Sequence, residues 1–361
     1  MKKPTLVFCF LISLILLGCV VSEVESNETA TDSPAATPVA IDVSVASAEP
    51  KTTAEPAILA TPAPTDTPAP TATPSSTPIP TREPREGDIT IHFPDYDTGV
   101  DADYSYQSDE LRIAITVVED TEELQKYYVA DIWVRSIYSF RAGFGNGKFN
   151  SGPEEGESFA QREHAILAVN GSMNIGIIYH NGQKIRGYME DVANPGIAVI
   201  YQDGSMKVFE RTEFSMREAE KKGVRHIWQF GPTLVSDGKM VRDFPTRATR
   251  HPRVIIGYYE PGHYCLVAVD GRSKTAIGMT DREMAELMLE LGCQEAMNLD
   301  GGNSAMMVFM GKCISHPSGA DKDNDGKADR RLKDMVLFAE YDEEGNAPAL
   351  DDVDAEKVRM P

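Results

Sequence analysis

Residues 264–302 read YCLVAVDGRSKTAIGMTDREMAELMLELGCQEAMNLDGG. The apolar run from Tyr264 to Asp270, bounded by turn signals, has the length and composition of a strand buried on both faces. Thr280 then stands three residues before Glu283 as a capping box. Met284, Leu287, Met288 and Leu291 recur at i, i+3, i+4 and i+7, and Gly292 ends the helix. Glu295 to Leu299 reads as a second strand. Strand, helix and strand in this order predict a βαβ unit with two parallel strands and a right-handed crossover. Asp270 and Asp300 would then leave the sheet at the same edge, where open α/β sheets hold their ligands.

Outward from this unit the chain carries more strands than helices. β-type runs fall at Leu111–Val118, Tyr127–Val134, Ala165–Asn170, Gly196–Tyr201, Val254–Tyr259 and Ala305–Met310. Asn181-Gly182 and Asp237-Gly238, each between such runs, are two-residue hairpin signals. The expected class is α+β: a mixed β-sheet with a few helices, in which the βαβ unit carries a site at its strand C-terminal ends. Residues 88–345 account for this domain, and 346–361 read as an acidic C-terminal tail.

Before the domain the composition changes. A basic start at Lys2 and Lys3 precedes an apolar run from Leu6 to Leu17 that is too short to span a bilayer but suits an export signal. It ends in Leu16-Leu17-Gly18-Cys19, which resembles a bacterial lipobox; Cys19 would receive the lipid. Residues 1–19 are therefore expected to be a lipoprotein signal peptide, the alternative being a plain signal peptide. The expected location is extracytoplasmic, anchored to the cell membrane of a bacterium through Cys19. Residues 20–87 are dominated by Ala, Thr, Pro, Ser and Glu and cannot bury enough apolar surface to offset the entropy of ordering, so they read as a disordered linker. The formal net charge of -21 over 361 residues speaks against a nucleic-acid partner, which needs clustered Lys and Arg. Any phosphate-bearing substrate needs locally placed arginines.

The densest chemical signal is Asn298-Leu299-Asp300-Gly301-Gly302-Asn303-Ser304. Glycines at a strand exit let consecutive N–H groups approach phosphate or sugar oxygens; a tight turn capped by Asp300 is the alternative. Asp270-Gly271-Arg272 adds a second carboxylate and a guanidinium. Two carboxylates facing one site suit glycoside hydrolysis, and an arginine fork suits phosphate; an Asp–Arg pair closing a surface turn is the other reading. The histidines His164, His180, His226, His251, His263 and His316 show no HExxH spacing. A zinc hydrolase is therefore the weaker enzyme alternative, and with no GxSxG elbow present a serine hydrolase finds no support. Cys265, Cys293 and Cys313 remain in the folded part, enough for at most one disulfide.

The stretch HPRVIIGYYEPGHYCLVAVDGRSKTAIGMTDREMAELMLELGCQEAMNLDGGNSAMMVFMGK, residues 251–312, resembles the core of the phosphodiester glycosidase family. AILAVNG (165–171), the Asn181-Gly182 hairpin and FGPTLVSDGK (230–239) precede it in the family's order, and Arg331 with Asp334–Phe338 resembles its closing segment. The resemblance implies hydrolysis at the anomeric carbon of a sugar whose leaving group is a phosphodiester, with no cofactor required. It implies a site lined by Asn170, Arg253, Asp270, Arg272, Asp300, Gly301, Gly302 and Ser304, joined by Arg331. Asp300 would be the principal catalytic carboxylate and Asp270 an assistant, with Arg253 and Arg272 binding phosphate. The expected substrate is a GlcNAc-like sugar-1-phosphodiester in a cell-envelope or exopolysaccharide glycan. The alternative is a non-catalytic lipoprotein that binds glycan or phosphate on the same fold.

Asp321, Asp323, Asp325 and Asp329, with Gly326 between them, have the oxygen spacing of a Ca²⁺ loop, although Leu332 occupies the twelfth position where such a loop carries a glutamate. A structural calcium site and a solvated acidic turn both fit this segment.

Overall fold

The capping box forms: the Thr280 side chain accepts from the Glu283 N–H, and Glu283 returns a bond to the Thr280 N–H. The helix it starts spans Asp281–Glu290 and buries Met284, Ala285 and Met288 in an apolar cluster with Ile255, Val267 and Leu234. This computed structural model describes residues 84–89, 93, 102–188, 196–318, 330–341 and 346–361. Residues 1–83, including Cys19, and the acidic loop with Asp321, Asp323, Asp325 and Asp329 lie outside the described residues.

Strand is the commonest element of the described chain and is arranged in three larger sheets and a two-stranded ribbon. The strands before and after the helix, His263–Val269 and Glu295–Asn298, belong to the nine-stranded sheet but are not neighbours. Arg253–Glu260 lies between them and pairs antiparallel with both. The two outer strands consequently point the same way, and Asp270 and Asp300 leave at the same end. The cause is the tight connection Pro261-Gly262, which makes Arg253–Glu260 and His263–Val269 a hairpin. The strand Val254–Ile256 is buried and takes the inner position. Every strand pairing among the described residues is antiparallel, which corrects the expected mixed sheet within a class that remains α+β.

The two dipeptide hairpins form with the left-handed backbone that such turns require: φ is 52° and 81° at Asn181 and Gly182, 51° and 68° at Asp237 and Gly238. The first joins strands of a five-stranded sheet, Met206–Glu210, Gly196–Tyr201, Val224–Phe230, Ile178–His180 and Gln183–Arg186 in spatial order. A second five-stranded sheet runs Lys312–Cys313, Met307–Phe309, Leu167–Asn170, Asp334–Phe338, Phe140–Phe144. One apolar core joins all three sheets, with Ile113 and Ile115 from the first, Ile200 and Trp228 from the second, Val169 and Val336 from the third. Residues 346–361 are no separate tail: Val358–Arg359 adds a short strand beside Tyr104–Gln107, and Leu350, Val353 and Val358 pack on the core. No helix among the described residues is long and apolar enough to cross a membrane.

Candidate functional site

The site forms where three separated stretches meet. Leu167–Asn170 is the inner strand between Met307–Phe309 and Asp334–Phe338, so Asn170 leaves the sheet beside the start of the closing strand. Its side chain fixes the next arrival: Nδ2 donates to the Asp300 carbonyl at 2.6 Å, and Oδ1 accepts from the Met306 N–H at 3.1 Å. The Asp300 N–H in turn donates to the Gly171 carbonyl at 3.0 Å. Both amide ends of Asn170 thus hold the turn that presents Asp300. Two glycines are dictated by contact. A Cβ on Gly301 would come 2.7 Å from the Pro252 carbonyl oxygen, and one on Gly171 would come 2.2 Å from Asp334 Oδ2.

A cleft of about 130 Å³ opens at this junction, lined among others by Asn170, Asp300, Ser304, Arg330, Arg331 and Asp334. Asp300 is 8% exposed. Burial raises its carboxyl above the ordinary range, while the Ser304 hydroxyl, the Gly301 N–H and the charges of Arg330 and Lys333 pull it down. Ser304 also accepts from Arg330 Nη2 at 2.6 Å, so one hydroxyl links the acid to the cation. Asp334 is fully enclosed. Its Oδ2 accepts from the Ser172 N–H at 2.8 Å and its Oδ1 from the Asn174 N–H at 3.2 Å. Burial pushes its carboxyl up to about 6, with the Asp300 charge adding to the rise and the Ser172 N–H opposing it. A larger groove of about 400 Å³, bordered by Asn150, Asn174, Arg186 and Lys333, shares Met173 and Lys333 with the cleft.

The cleft gathers Asn170, Asp300, Ser304 and Arg331 from the residues expected in sequence, and Gly301 and Gly302 form the turn behind it. Three others have different partners. Asp270 accepts from the His316 N–H at 2.8 Å and lies 3.0 Å from His316 Nδ1, and it does not line the cleft. Arg253 donates to the Met279 carbonyl at 3.1 Å and pairs with Asp281 at 3.0 Å, in the first turn of the helix. Arg272, at φ 57°, reaches over Gly302 to Asn303 Oδ1 at 2.8 Å and His251 Nδ1 at 3.3 Å. Missed in sequence were Asp334, Arg330 and Lys333. The run Arg330-Arg331-Leu332-Lys333-Asp334, three cations and an acid at the entry of an apolar strand, was the available signal. Among the described residues no group of three His, Cys, Asp or Glu side chains is placed to hold a metal ion.

A family model described as phosphodiester glycosidase matches residues 155–339, just over half of the chain. The chain is 31% identical over 177 residues to the SPbeta prophage-derived protein YomE of Bacillus subtilis, covering 45% of this chain and 27% of that protein. It is 27% identical to N-acetylglucosamine-1-phosphodiester alpha-N-acetylglucosaminidase from Bos taurus and from Homo sapiens, over 45% of this chain and 29% and 30% of theirs. The chain thus spans under a third of the length of these relatives. In structure it is similar to the zebrafish catalytic domain of that activity, auto-inhibited by its pro-peptide. The TM-score is 0.53 at 18% identity, covering 66% of this chain and 89% of that one, which speaks for the fold.

Proposed function

The chain belongs to the phosphodiester glycosidase family, and from that premise we propose that the cleft beside Asp300 hydrolyses the glycosidic bond of a sugar-1-phosphodiester. The observation that carries this reading is the pairing, in one cleft, of two buried carboxylates with the cations Arg330, Arg331 and Lys333. In the reaction, the oxygen of a water molecule attacks the anomeric carbon and the bond from that carbon to the phosphate oxygen breaks. The bonding electron pair leaves on the phosphate, and Asp300 takes the proton that the water loses. A phosphate monoester is a weak base and departs without a strong acid; fixed cations balance its charge as it forms. Asp334 acts by position: it holds the Ser172–Asn174 backbone against the cleft and shares the site's negative charge with Asp300. Asp270, engaged with His316, anchors the neighbouring loop in this scheme.

We also propose that the substrate is a GlcNAc-like residue of a cell-envelope or exopolysaccharide glycan, met outside the cell by a domain tethered through lipid on Cys19. The acidic loop over 321–329 is proposed as a calcium site that steadies the segment before Arg330. The test of the catalytic reading is release of free N-acetylglucosamine from a GlcNAc-1-phosphodiester by the purified protein and by Asp300→Asn. The substitution keeps volume and one acceptor oxygen, so the Gly301-Gly302 turn should persist, and kcat should fall roughly 10²–10⁴-fold with KM little changed. Binding of the compound by the parent without any turnover would favour the non-catalytic binding protein instead.

A further inference from the structure

Cys265 and Cys293 are buried free thiols on the helix-covered face of the nine-stranded sheet, both in the cluster with Met284 and Met288. Cys265 lies on the strand His263–Val269 opposite Gly257. Cys293 lies in the turn between the helix and Glu295–Asn298, where its N–H bonds to the Met288 carbonyl at 3.0 Å. The two side chains converge because residue 257 has none. A Cβ built on Gly257 would meet the Met288 methyl first and would lie 2.9 Å from Cys293 Sγ and 3.2 Å from Cys265 Cβ, so both cysteines border one point, over which the flexible end of Met288 packs. Tyr259 packs against the same cluster. Cys313 stands apart in a different cluster, with its thiol 3.3 Å from the Ser315 carbonyl.

We propose that Cys265 and Cys293 are a modification site: under oxidising conditions they join as a disulfide that ties the end of the helix to the strand before it. The oxidant is a small-molecule disulfide of the glutathione class. The Cys265 thiolate attacks one of its sulfurs and expels one thiol. The Cys293 thiolate then attacks the Cys265 sulfur and expels the second. One S–S bond forms in the protein as one breaks in the oxidant, the two thiol protons pass to the two released thiolates, and two electrons move to the small molecule. Because both sulfurs are enclosed in the finished fold, the exchange takes place while this core is open, during folding or local opening. The bare Cα of Gly257 keeps the two cysteines near one point, and the flexible end of the Met288 side chain yields the room that the narrow geometry of a disulfide demands.

The test is to refold the full chain in a glutathione buffer, oxidised against reduced, and map non-reduced peptides by mass. A peptide pair joined through Cys265 and Cys293, 2 Da lighter than its thiol form, is expected in the oxidised sample. Adding dithiothreitol should lower the thermal midpoint of that sample by roughly 10 °C, since the bridge closes a loop of intermediate length. Cys293→Ala should abolish both the joined peptide and the dithiothreitol response, and Cys313→Ala should keep both. If Cys293→Ala fails to fold, Cys265→Ser and the parent's peptide map decide the matter. Free thiols at both positions after oxidation, or a bridge that includes Cys313, would overturn the proposal. The readout is covalent, so it is independent of whether the cleft turns over a phosphodiester.

Discussion

At the scale of single residues, the two arginine sets invite a direct contrast. Arg330 stands in the cleft and shares Ser304 with Asp300, whereas Arg272 is exposed and uses its fork on Asn303 and His251. A lysine keeps the charge but loses the planar pair of donors. Arg330→Lys should therefore lower kcat/KM on a GlcNAc-1-phosphodiester by about tenfold or more, and Arg272→Lys by less than about threefold. Steady-state kinetics on the two purified variants check this, and the reverse order would return phosphate binding to the Arg272 side of the turn. Asp300 itself is legible in sequence because two glycines follow it at a strand exit. Asp334 is not, because an acid that opens the run Asp-Met-Val-Leu-Phe reads as the first residue of a strand. Its role depends on Ser172 and Asn174, 160 positions away at the nearer of the two, and no local pattern reports a contact of that range.

At the scale of elements, the helix and the hairpins follow from sequence while the neighbours of each strand do not. Thr280 to Glu283, the four-residue period and the Asn-Gly dipeptide all act within one turn of chain. Whether His263–Val269 lies next to Glu295–Asn298 is instead settled by competition for the middle of the sheet, which the preceding hairpin strand wins. A second element-level feature is the ring stack along Val224–Phe230 and its neighbours. His180 packs 4.7 Å from Phe144 and 5.5 Å from Trp228, and neither of its ring nitrogens has a hydrogen-bond partner. Burial holds the His180 imidazole down at about 3, and that of His226 well below its usual value. In the unfolded chain a histidine takes up its proton near pH 6.5. The neutral His180 therefore contributes stability that is fully present above about pH 6.5 and is lost as the pH falls toward 3. Between pH 6.5 and 4.5 the parent should lose roughly 2–3 kcal/mol more than His180→Phe, which keeps a ring in the stack and cannot titrate. Urea melts at the two pH values measure the difference. Parallel pH curves for parent and variant would mean that His180 charges in place.

At the scale of the whole molecule, two predictions concern residues outside those described. Cys19→Ala should abolish incorporation of labelled fatty acid and release the domain from the membrane fraction, because no thiol is left to acylate. Fatty-acid labelling equal to that of the parent would refute the anchor. If the loop over 321–329 holds calcium, chelation should lower the thermal midpoint by mass action, and Asp323→Ala should no longer respond. Identical melting with calcium and with chelator, at matched ionic strength, would make the loop a solvated turn. The order of the chain along the fold carries a consequence for biosynthesis. The strand with Asn170 is flanked by Met307–Phe309 and Asp334–Phe338, and the last two residues of strand, Val358–Arg359, clip onto Tyr104–Gln107 near the beginning of the described domain. A polypeptide still emerging from the ribosome, or one stopped by a nonsense codon before Arg330, has Asp300 but neither its cations nor Asp334. The lining of the cleft is thus complete only once residues 330–334 have been made, and a product that stops short of them lacks three cations and one of its two carboxylates.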